Sequence, residues 1–484
     1  MAYRRGDRYQ MMILPRSIED YVAKDDPVRA YDAFVEKVDL EELGITINDA
    51  KVGNPQYDPR AMVKLLLYGY SYGIKSSRKL ERECHHNMSF IWLMGGLKPD
   101  HKTIAEFRRK NKKALKKLLK LCAQVCIKLN LVAGNVLFVD GTKIKANASI
   151  NRTHDKAYYE KQLEALDRRI DELLDECEAV DVEEEGSPSF VAMPEELKKT
   201  ETLREKVKKA LEICEREGKT TVNLTDPDCA VMKSVQGSHP SYNVQSVVDD
   251  EHGLIVHVDA VSDANDLNQF ARQIESANEL FEKPCDIACA DAGYADTEEL
   301  EKVAKQGTTV VVPSKRQALH EEESPFSKSH FIYDKENDCY YCPEGHRLSY
   351  RSTNKKTGKR YYRITRPGIC RSCRHYGKCT SLRKGRKVTR LKNEEAKQHF
   401  EKLYEREDLQ EIYRRRKGRV EHPFGHIKRN LKTDSFHLRG REGVRAEIAL
   451  LATCFNIRRM ITIFGGVIQF IEKLMGIGMV TVPG

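Results

Sequence analysis

Three acidic residues stand in local settings that favour catalytic chemistry. Asp140 closes the apolar run Val-Leu-Phe-Val, and Asp291 closes a second run, Ile-Ala-Cys-Ala. Glu421 lies inside the strongly basic segment 413–428. Short apolar runs predict buried strands, and α/β proteins place functional groups where such strands end. Three converging carboxylates can bind two Mg²⁺ ions, which activate a water and stabilise the leaving oxygen in phosphodiester chemistry.

Each acid also has a simpler explanation. An aspartate at a strand end is commonly a helix cap or a turn residue, so neither aspartate is specific alone. Glu421 among arginines and lysines is compatible with a surface ion pair. However, an apolar stripe at helical spacing predicts a helix with Glu421 beside its buried side and Lys428 two turns further on. That stripe consists of Val420, Phe424, Ile427 and Leu431.

Length and charge narrow the class of protein. A chain of 484 residues is long enough for two to four domains. Its formal net charge of +10 is modest for this size. The charge is segregated, because an acidic stretch at 171–185 offsets basic stretches at 108–120, 383–391 and 414–432. The local basic stretches therefore predict a polyanionic partner better than the total does.

Composition and patterning predict a cytoplasmic protein without a membrane segment. The start, Met-Ala-Tyr-Arg-Arg-Gly-Asp, is too polar for a signal peptide. The apolar region 446–471 is interrupted by Asn456, Arg458 and Arg459, which favours a buried C-terminal helix. Most of the fourteen cysteines stand singly in apolar patterns, as expected for buried thiols in a reducing compartment.

Residues 1–132 are predicted to be helical and to form a DNA-binding domain. Helices are expected after Asp26-Pro27, after Asp58-Pro59 and near Ser76 or Ser77, because these are capping signals. One long amphipathic helix is expected from Pro99 to about Leu129. Its lysine-rich side fits a solvated face or helix-turn-helix-like DNA binding, and the sequence leaves both open.

From residue 133 the pattern predicts an α/β core, interrupted by a helical hairpin at 155–218. The hairpin is expected to break at 186–188 and to serve as a structural arm, with subunit or DNA contact as the alternative. Strands are expected at 136–139, 242–248, 254–260, 287–290 and 308–312, and helices at 266–280 and 296–305. Residues 133–320 thus form the first part of the core and 395–484 the last part.

A cysteine-rich insertion at 321–394 predicts a zinc module. It contains Cys339-x2-Cys342, Cys370-x2-Cys373 and Cys379, with His346 and His375 nearby. Two CxxC pairs can each wrap one side of a tetrahedral ion. Reduced cysteines without metal, disulfides in an exported protein, and an iron–sulfur cluster are the alternatives. More than four ligands are present, so one cysteine is surplus.

Taken in order, these motifs resemble those of the DDE transposases of bacterial insertion sequences. The resemblance rests on Asp140-Gly-Thr-Lys, Tyr242-Asn-Val-Gln, Asp291-Ala-Gly-Tyr and Glu421-His-Pro-Phe-Gly-His-Ile-Lys, and it covers nearly the whole chain. It implies an RNase H-like mixed sheet flanked by helices, with the N-terminal helical domain, the helical hairpin and a zinc-ribbon-like insertion. Asp140, Asp291 and Glu421 match the metal-binding triad.

The resemblance also implies roles for the basic residues. Many relatives carry a Tyr-Arg-Glu-Lys signature, and Lys428 matches its lysine. Tyr413 and Arg416 lie one residue farther from Glu421 than usual, so Lys417 or Arg419 is an alternative to Arg416. Together with Lys143, these residues are expected to contact DNA. The zinc ligands implied are Cys342, Cys370, Cys373 and Cys379, which leaves Cys339 spare.

The implied reaction uses two Mg²⁺ (or Mn²⁺) ions to cut DNA at the element ends and to join the exposed 3′-OH to target DNA. The expected partner is double-stranded DNA, bound by a homodimer. A nuclease of the same fold without strand transfer is the first alternative, and a non-catalytic zinc-containing DNA-binding protein is the second. A Rossmann-type dehydrogenase is excluded because no GxGxxG follows the first strand.

Overall fold

The computed structural model describes residues 17–46, 56–183, 195–234, 237–319, 324–355 and 357–480. The chain divides into two compact units. Unit 1 contains Met1–Asp266, Arg272–Cys285 and Arg415–Gly484, and unit 2 contains Leu267–Ala271 and Asp286–Arg414. Both helices and sheets are present, so the α/β class is confirmed. The division into four domains that the sequence predicts stays a prediction.

Unit 1 begins with helices whose starts follow from capping. The side chains of Asp26 and Asp58 each accept a backbone hydrogen bond at a helix start, and a proline occupies the first turn in both cases. These two helix starts and the one near Ser77 are confirmed. The helices are α1 (Pro27–Glu36), α2 (Pro59–Ser71), α3 (Ser77–His86), α4 (Met88–Leu93), α5 (His101–Lys110) and α6 (Lys112–Lys128).

The single long helix predicted from Pro99 to Leu129 is wrong, because the chain breaks at Asn111. Asn111 has φ −100° and ψ 20°, and its side-chain amide donates to the Phe107 carbonyl at 2.9 Å. Such a local bond competes with the helical ladder. Arg108, expected on the solvated side, is buried and donates to the Lys75 carbonyl at 2.7 Å.

The strands that the structure describes in unit 1 form antiparallel pairs in two places, around one long central strand and in a separate two-stranded ribbon. They are β1 (Val136–Lys145), β2 (Thr153–Asp155), β3 (Thr221–Asn223), β4 (Ala230–Ser234), β5 (Gly237–Asp249) and β6 (Ile255–Val261). β5 pairs with β1 along one edge and with β4 and β6 along the other. Asp140 lies opposite Ser246, and β1 continues beyond it to Lys145. The placement of Asp140 at a strand exit was therefore wrong.

The predicted hairpin is present as α7 (Lys156–Glu183) and α8 (Glu195–Glu217). A small core of its own holds it together, with Tyr159 and Val207 fully buried. The Tyr159 hydroxyl donates to the Val222 carbonyl at 2.8 Å, which ties the helices to the two-stranded ribbon of β2 and β3. The expected break at 186–188 lies outside the described residues.

The next stretch alternates helix and strand: α9 (Phe270–Asn278), β7 (Ile287–Cys289), α10 (Thr297–Ala304), β8 (Thr309–Val311) and α11 (Lys315–Ala318). β7 and β8 are parallel, and Ala288 lies opposite Val310. Parallel neighbours need a crossover, which α10 provides. All of these elements except α11 were predicted, although the observed strands and helices are shorter.

The cysteine-rich insertion is an antiparallel sheet in unit 2 with the strand order β13-β12-β11-β10-β9. Its elements are β9 (Ile332–Asp334), β10 (Cys339–Tyr341), β11 (Arg347–Thr353), β12 (Arg360–Ile364), α12 (Pro367–Arg371) and β13 (Lys387–Arg390). One side of the sheet packs a core that includes Tyr340, Leu348 and Tyr362.

Helices complete the chain: α13 (Glu394–Tyr404), α14 (Glu407–Arg429), α15 (Arg441–Ile463) and α16 (Val467–Met475). α15 is almost entirely buried and packs against α6, β6 and α2. Among the described residues, no single helix is long and apolar enough to cross a membrane, and α15 and α16 reach that length only together, across a bend of 102°.

Candidate active site

Asp140 contacts a cation from the last predicted motif. The Oδ1 atom of Asp140 lies 3.5 Å from Nη1 of Arg416 on α14. Both side chains are largely buried, with 18% and 13% of their surfaces exposed. A pair with so little solvent around it is screened less than a surface pair, so this contact holds the carboxylate in place.

The neighbouring arginines of α14 have another partner. Arg415 and Arg419 both contact the carboxylate of Asp250, at 2.7 Å and 3.5 Å. Arg416 alone of these three arginines pairs with Asp140, and the choice among Arg416, Lys417 and Arg419 as the DNA-contacting residue stays a prediction. Asp250 was missed by the sequence analysis, although its position one residue after the end of β5 is the kind of site that holds a functional acid.

Lys428 reaches the same strand. Its ammonium donates to the Thr142 hydroxyl at 2.5 Å. Thr142 lies two residues after Asp140 on β1, so both side chains point to the same face of the sheet. Burial lowers the pKa of Lys428, although the carboxylates of Asp434 and Asp140 oppose the shift. Thr142 was also missed, and the two-residue spacing from Asp140 was the available signal.

Glu421 is exposed on α14, between these two anchoring residues. The apolar stripe beside it is buried as predicted, with Val420 and Ile427 nearly inaccessible. Arg416 precedes Glu421 by five residues and Lys428 follows it by seven, so the segment that carries Glu421 is attached to β1 on both sides. Seven residues are about two helical turns, which puts Glu421 and Lys428 on one face of the helix.

Asp291 belongs to unit 2, where it follows β7. It caps a short 3-10 helix, Ala292–Tyr294, by accepting the Gly293 N–H at 2.8 Å. Asp291 therefore acts as a helix cap, which is one of the simpler roles that the sequence analysis considered for it. This cap uses the Oδ1 atom of Asp291.

The remaining predicted DNA-contact residues have local partners. Lys143 donates to the Lys233 carbonyl of β4 at 2.9 Å. Tyr413, in unit 2, packs edge-on against Tyr404 with ring centroids 5.1 Å apart. Neither contact shows whether the side chain binds DNA, so both assignments stay predictions.

Four cysteines of the insertion line one small pocket of about 30 Å³. They are Cys342, Cys370, Cys373 and Cys379. Burial and then the thiols of the other three cysteines raise the pKa of Cys379, against the effect of Arg386. Cys339 is buried in β10 and does not line this pocket.

Backbone N–H groups point at three of these sulfurs. His346 donates to Cys342 Sγ at 3.3 Å, His375 to Cys373 Sγ at 3.5 Å, and Arg386 to Cys370 Sγ at 3.4 Å. These bonds orient the three sulfur atoms within the pocket.

No closed metal site is formed. Within the part of the chain that the structure describes, no three His, Cys, Asp or Glu side chains are grouped closely enough to hold a metal ion. The magnesium and zinc assignments therefore stay predictions.

Two family profiles match the chain. Residues 16–110 match a transposase domain (DUF772), and residues 341–461 match a transposase DDE domain. The two matches support an insertion-sequence DDE transposase. A transposase DDE domain implies an enzyme that processes nucleic acid. No curated protein and no solved structure is significantly similar to the chain.

The DDE-domain match contains one of the three predicted acids. Glu421 lies within residues 341–461, together with Arg416, Lys428 and the four pocket cysteines. Asp140 and Asp291 lie outside both matched segments. Asp140 is linked to the DDE-matched segment through its contact with Arg416.

Proposed function

We propose that the protein cuts DNA at the ends of its own element and joins the exposed 3′-OH to target DNA, in a metal-dependent reaction. The observation that carries the proposal is the contact of Arg416 with Asp140. It connects the first predicted acid to the helix of the last one, inside a segment that matches a transposase DDE domain.

Asp140, Asp291 and Glu421 are the proposed ligands of two Mg²⁺ or Mn²⁺ ions. Carboxylate oxygens are the donors that Mg²⁺ prefers, and the exposure of Glu421 leaves it accessible to a metal ion and a phosphate. When bound, the ions supply an activated water and stabilise the leaving oxygen.

The basic residues have separate roles in this proposal. Arg416 orients the Asp140 carboxylate, and Lys428 is held against β1 by Thr142. Both cations lie beside the acid, where they add positive charge for a DNA phosphate. Contacts of this kind fix the position of the DNA without reading its sequence.

An RNase H-like core is part of the proposal. The antiparallel strands β1, β5 and β6 and, separately, the parallel pair β7 and β8 support it. The partners proposed are the element ends, the target DNA and a second copy of the chain.

A structural zinc ion in the insertion is also proposed. Cys342, Cys370, Cys373 and Cys379 are the proposed ligands, because they line one pocket and three of them accept backbone N–H bonds. A bound zinc would stabilise the fold of this small module.

The test is Mg²⁺-dependent cleavage of a plasmid that carries the gene between its natural flanking repeats. Asp140→Asn and Glu421→Gln should each abolish cleavage and leave DNA affinity nearly unchanged. Glu411→Gln is the matched control, because Glu411 is an exposed glutamate on the same helix. Cleavage by either of the first two variants would overturn the assigned roles.

A further inference from the structure

The sheet of the cysteine-rich module has two different faces. On one face, Leu348, Tyr362 and Val388 are buried in the module core. Side chains alternate along a strand, so Tyr361, Arg363 and Lys387 belong to the other face. None of these three is buried. This second face, defined by Tyr361, Arg363 and Lys387, is called the open face below.

Two cations stand directly opposite each other on the open face. In the register of β12 and β13, Arg363 is the partner of Lys387. Like charges at directly opposed positions destabilise an antiparallel pair. Among the described residues, neither Arg363 nor Lys387 forms an ion pair with a carboxylate.

The core-facing side of the same two strands carries a comparable pair of directly opposed cations. Arg360 is the register partner of Arg390. Arg360 pairs with Asp338, and Arg390 pairs with Glu395 at 3.0 Å. The core-side pair is therefore neutralised by carboxylates of the chain, whereas the open-face pair is left available to an external anion.

A groove of about 530 Å³ follows the open face. Its charged lining residues are Arg351, Arg363, Lys384 and Lys387, and no carboxylate lines it. The surrounding sequence has the same bias, because residues 339–392 contain 17 lysines and arginines and a single acid, Glu344. Glu344 is already paired with Arg374 at 2.9 Å.

The aromatic ring in this groove is not free to stack on a base. The Lys387 ammonium lies 3.8 Å from the centroid of the Tyr361 ring and covers it. The ring therefore holds Lys387 by a cation–π contact. A groove of cations without an open aromatic surface fits a phosphate backbone, whereas single-strand binding uses exposed aromatic rings.

We propose that the open face of the cysteine-rich module binds the phosphate backbone of double-stranded DNA, through Arg351, Arg363 and Lys387. The choice of duplex DNA rests on the proposed function, and the binding itself needs no catalysis. The module would thereby add affinity for DNA that does not depend on the base sequence. This contribution would be separate from that of the acid site.

The test measures the salt dependence of binding to a random-sequence duplex, with the full chain and without added divalent cation or chelator. For Arg351→Gln/Arg363→Gln/Lys387→Gln, the slope of log affinity against log salt should fall by about 0.9 for each phosphate that is no longer neutralised. The slope of the triple variant should therefore be smaller than that of the wild type by about 2.7. An unchanged slope would overturn the proposal.

Two controls make the result specific. Lys198→Gln/Lys206→Gln/Lys209→Gln removes the same charge from exposed positions of α8 and should leave the slope unchanged. Arg351→Lys/Arg363→Lys keeps the charge and should retain the wild-type slope. An equal decrease in the α8 variant, or a decrease seen only with single-stranded DNA, would contradict the proposal. No metal ion is added, so the measured DNA affinity does not depend on cleavage. A protein that fails to cleave DNA can therefore still support or contradict this proposal.

Discussion

Arg416 and Asp140 are 276 residues apart in the sequence, yet their side chains approach to 3.5 Å. The basic segment of α14 is thereby divided into residues with different partners. Arg416 contacts the candidate catalytic acid, whereas Arg415 and Arg419 contact Asp250. The segment is therefore more than a uniformly charged surface, and its arginines are expected to differ in their effect on activity.

Arg416→Gln should lower metal-dependent cleavage by about 10- to 100-fold, because a partner that orients a metal ligand typically contributes that much. Arg415→Gln removes the same charge one residue away and should change cleavage far less. Single-turnover cleavage rates check the prediction. Equal decreases in the two variants would show that only the total charge of the helix matters.

The bond between Lys428 and Thr142 should contribute to stability. Lys428→Met and Thr142→Val should show a coupling of about 1.5–3 kcal/mol in a double-mutant cycle, since the bond has a charged donor and is partly buried. Urea unfolding of the wild type, both single variants and the double variant gives this value. Additive effects of the two substitutions would mean that the side chains do not interact.

Zinc binding should depend on Cys370 and be independent of Cys339. Cys370 lines the shared pocket, whereas Cys339 is buried in β10 outside it. Cys370→Ser should lose the metal from the purified protein, and Cys339→Ala should retain it. Elemental analysis of both variants tests this, and retention of zinc by Cys370→Ser would remove that residue from the ligand set.

His426 should make the fold sensitive to acid. Burial, with Arg458 and His422 nearby, lowers the pKa of His426 from 6.5 to about 4. The neutral imidazole therefore stabilises the fold above pH 6.5, and this contribution is lost as the pH falls from 6.5 through about 4.

His426→Gln should thus lose less unfolding free energy than the wild type between these two pH values. Exposed His399→Gln is the matched control and should follow the wild type. Urea unfolding at both pH values provides the comparison. A wild-type response in His426→Gln would remove His426 as the origin of the effect.

Helix starts were predictable from the sequence because a helix cap depends only on residues that are neighbours in the chain. The Asp26-Pro27 and Asp58-Pro59 starts depend on a cap within the first turn, and both were confirmed. The end of β1 was not predictable in this way. The strand was expected to end at Val139, yet the residues that follow, as far as Lys145, remain paired with β5.

The site required tertiary information. Successive residues on a helix point about 100° apart, so the choice among Arg416, Lys417 and Arg419 depends on how α14 packs against β1. The sequence drew attention to this basic segment but contained no signal for that packing. Asp250 and Thr142 were missed for the same reason, since their partners come from a distant part of the chain.

The most direct test of the central claim is a joining assay with element-end DNA, a supercoiled target plasmid and Mg²⁺. The wild type and Glu411→Gln should produce DNA in which the element end is covalently joined to the target. Asp140→Asn, Asp291→Asn and Glu421→Gln should bind the end DNA and join none. Joined products from any of these three variants would contradict the assigned triad, and cut ends without joining by the wild type would indicate a nuclease instead.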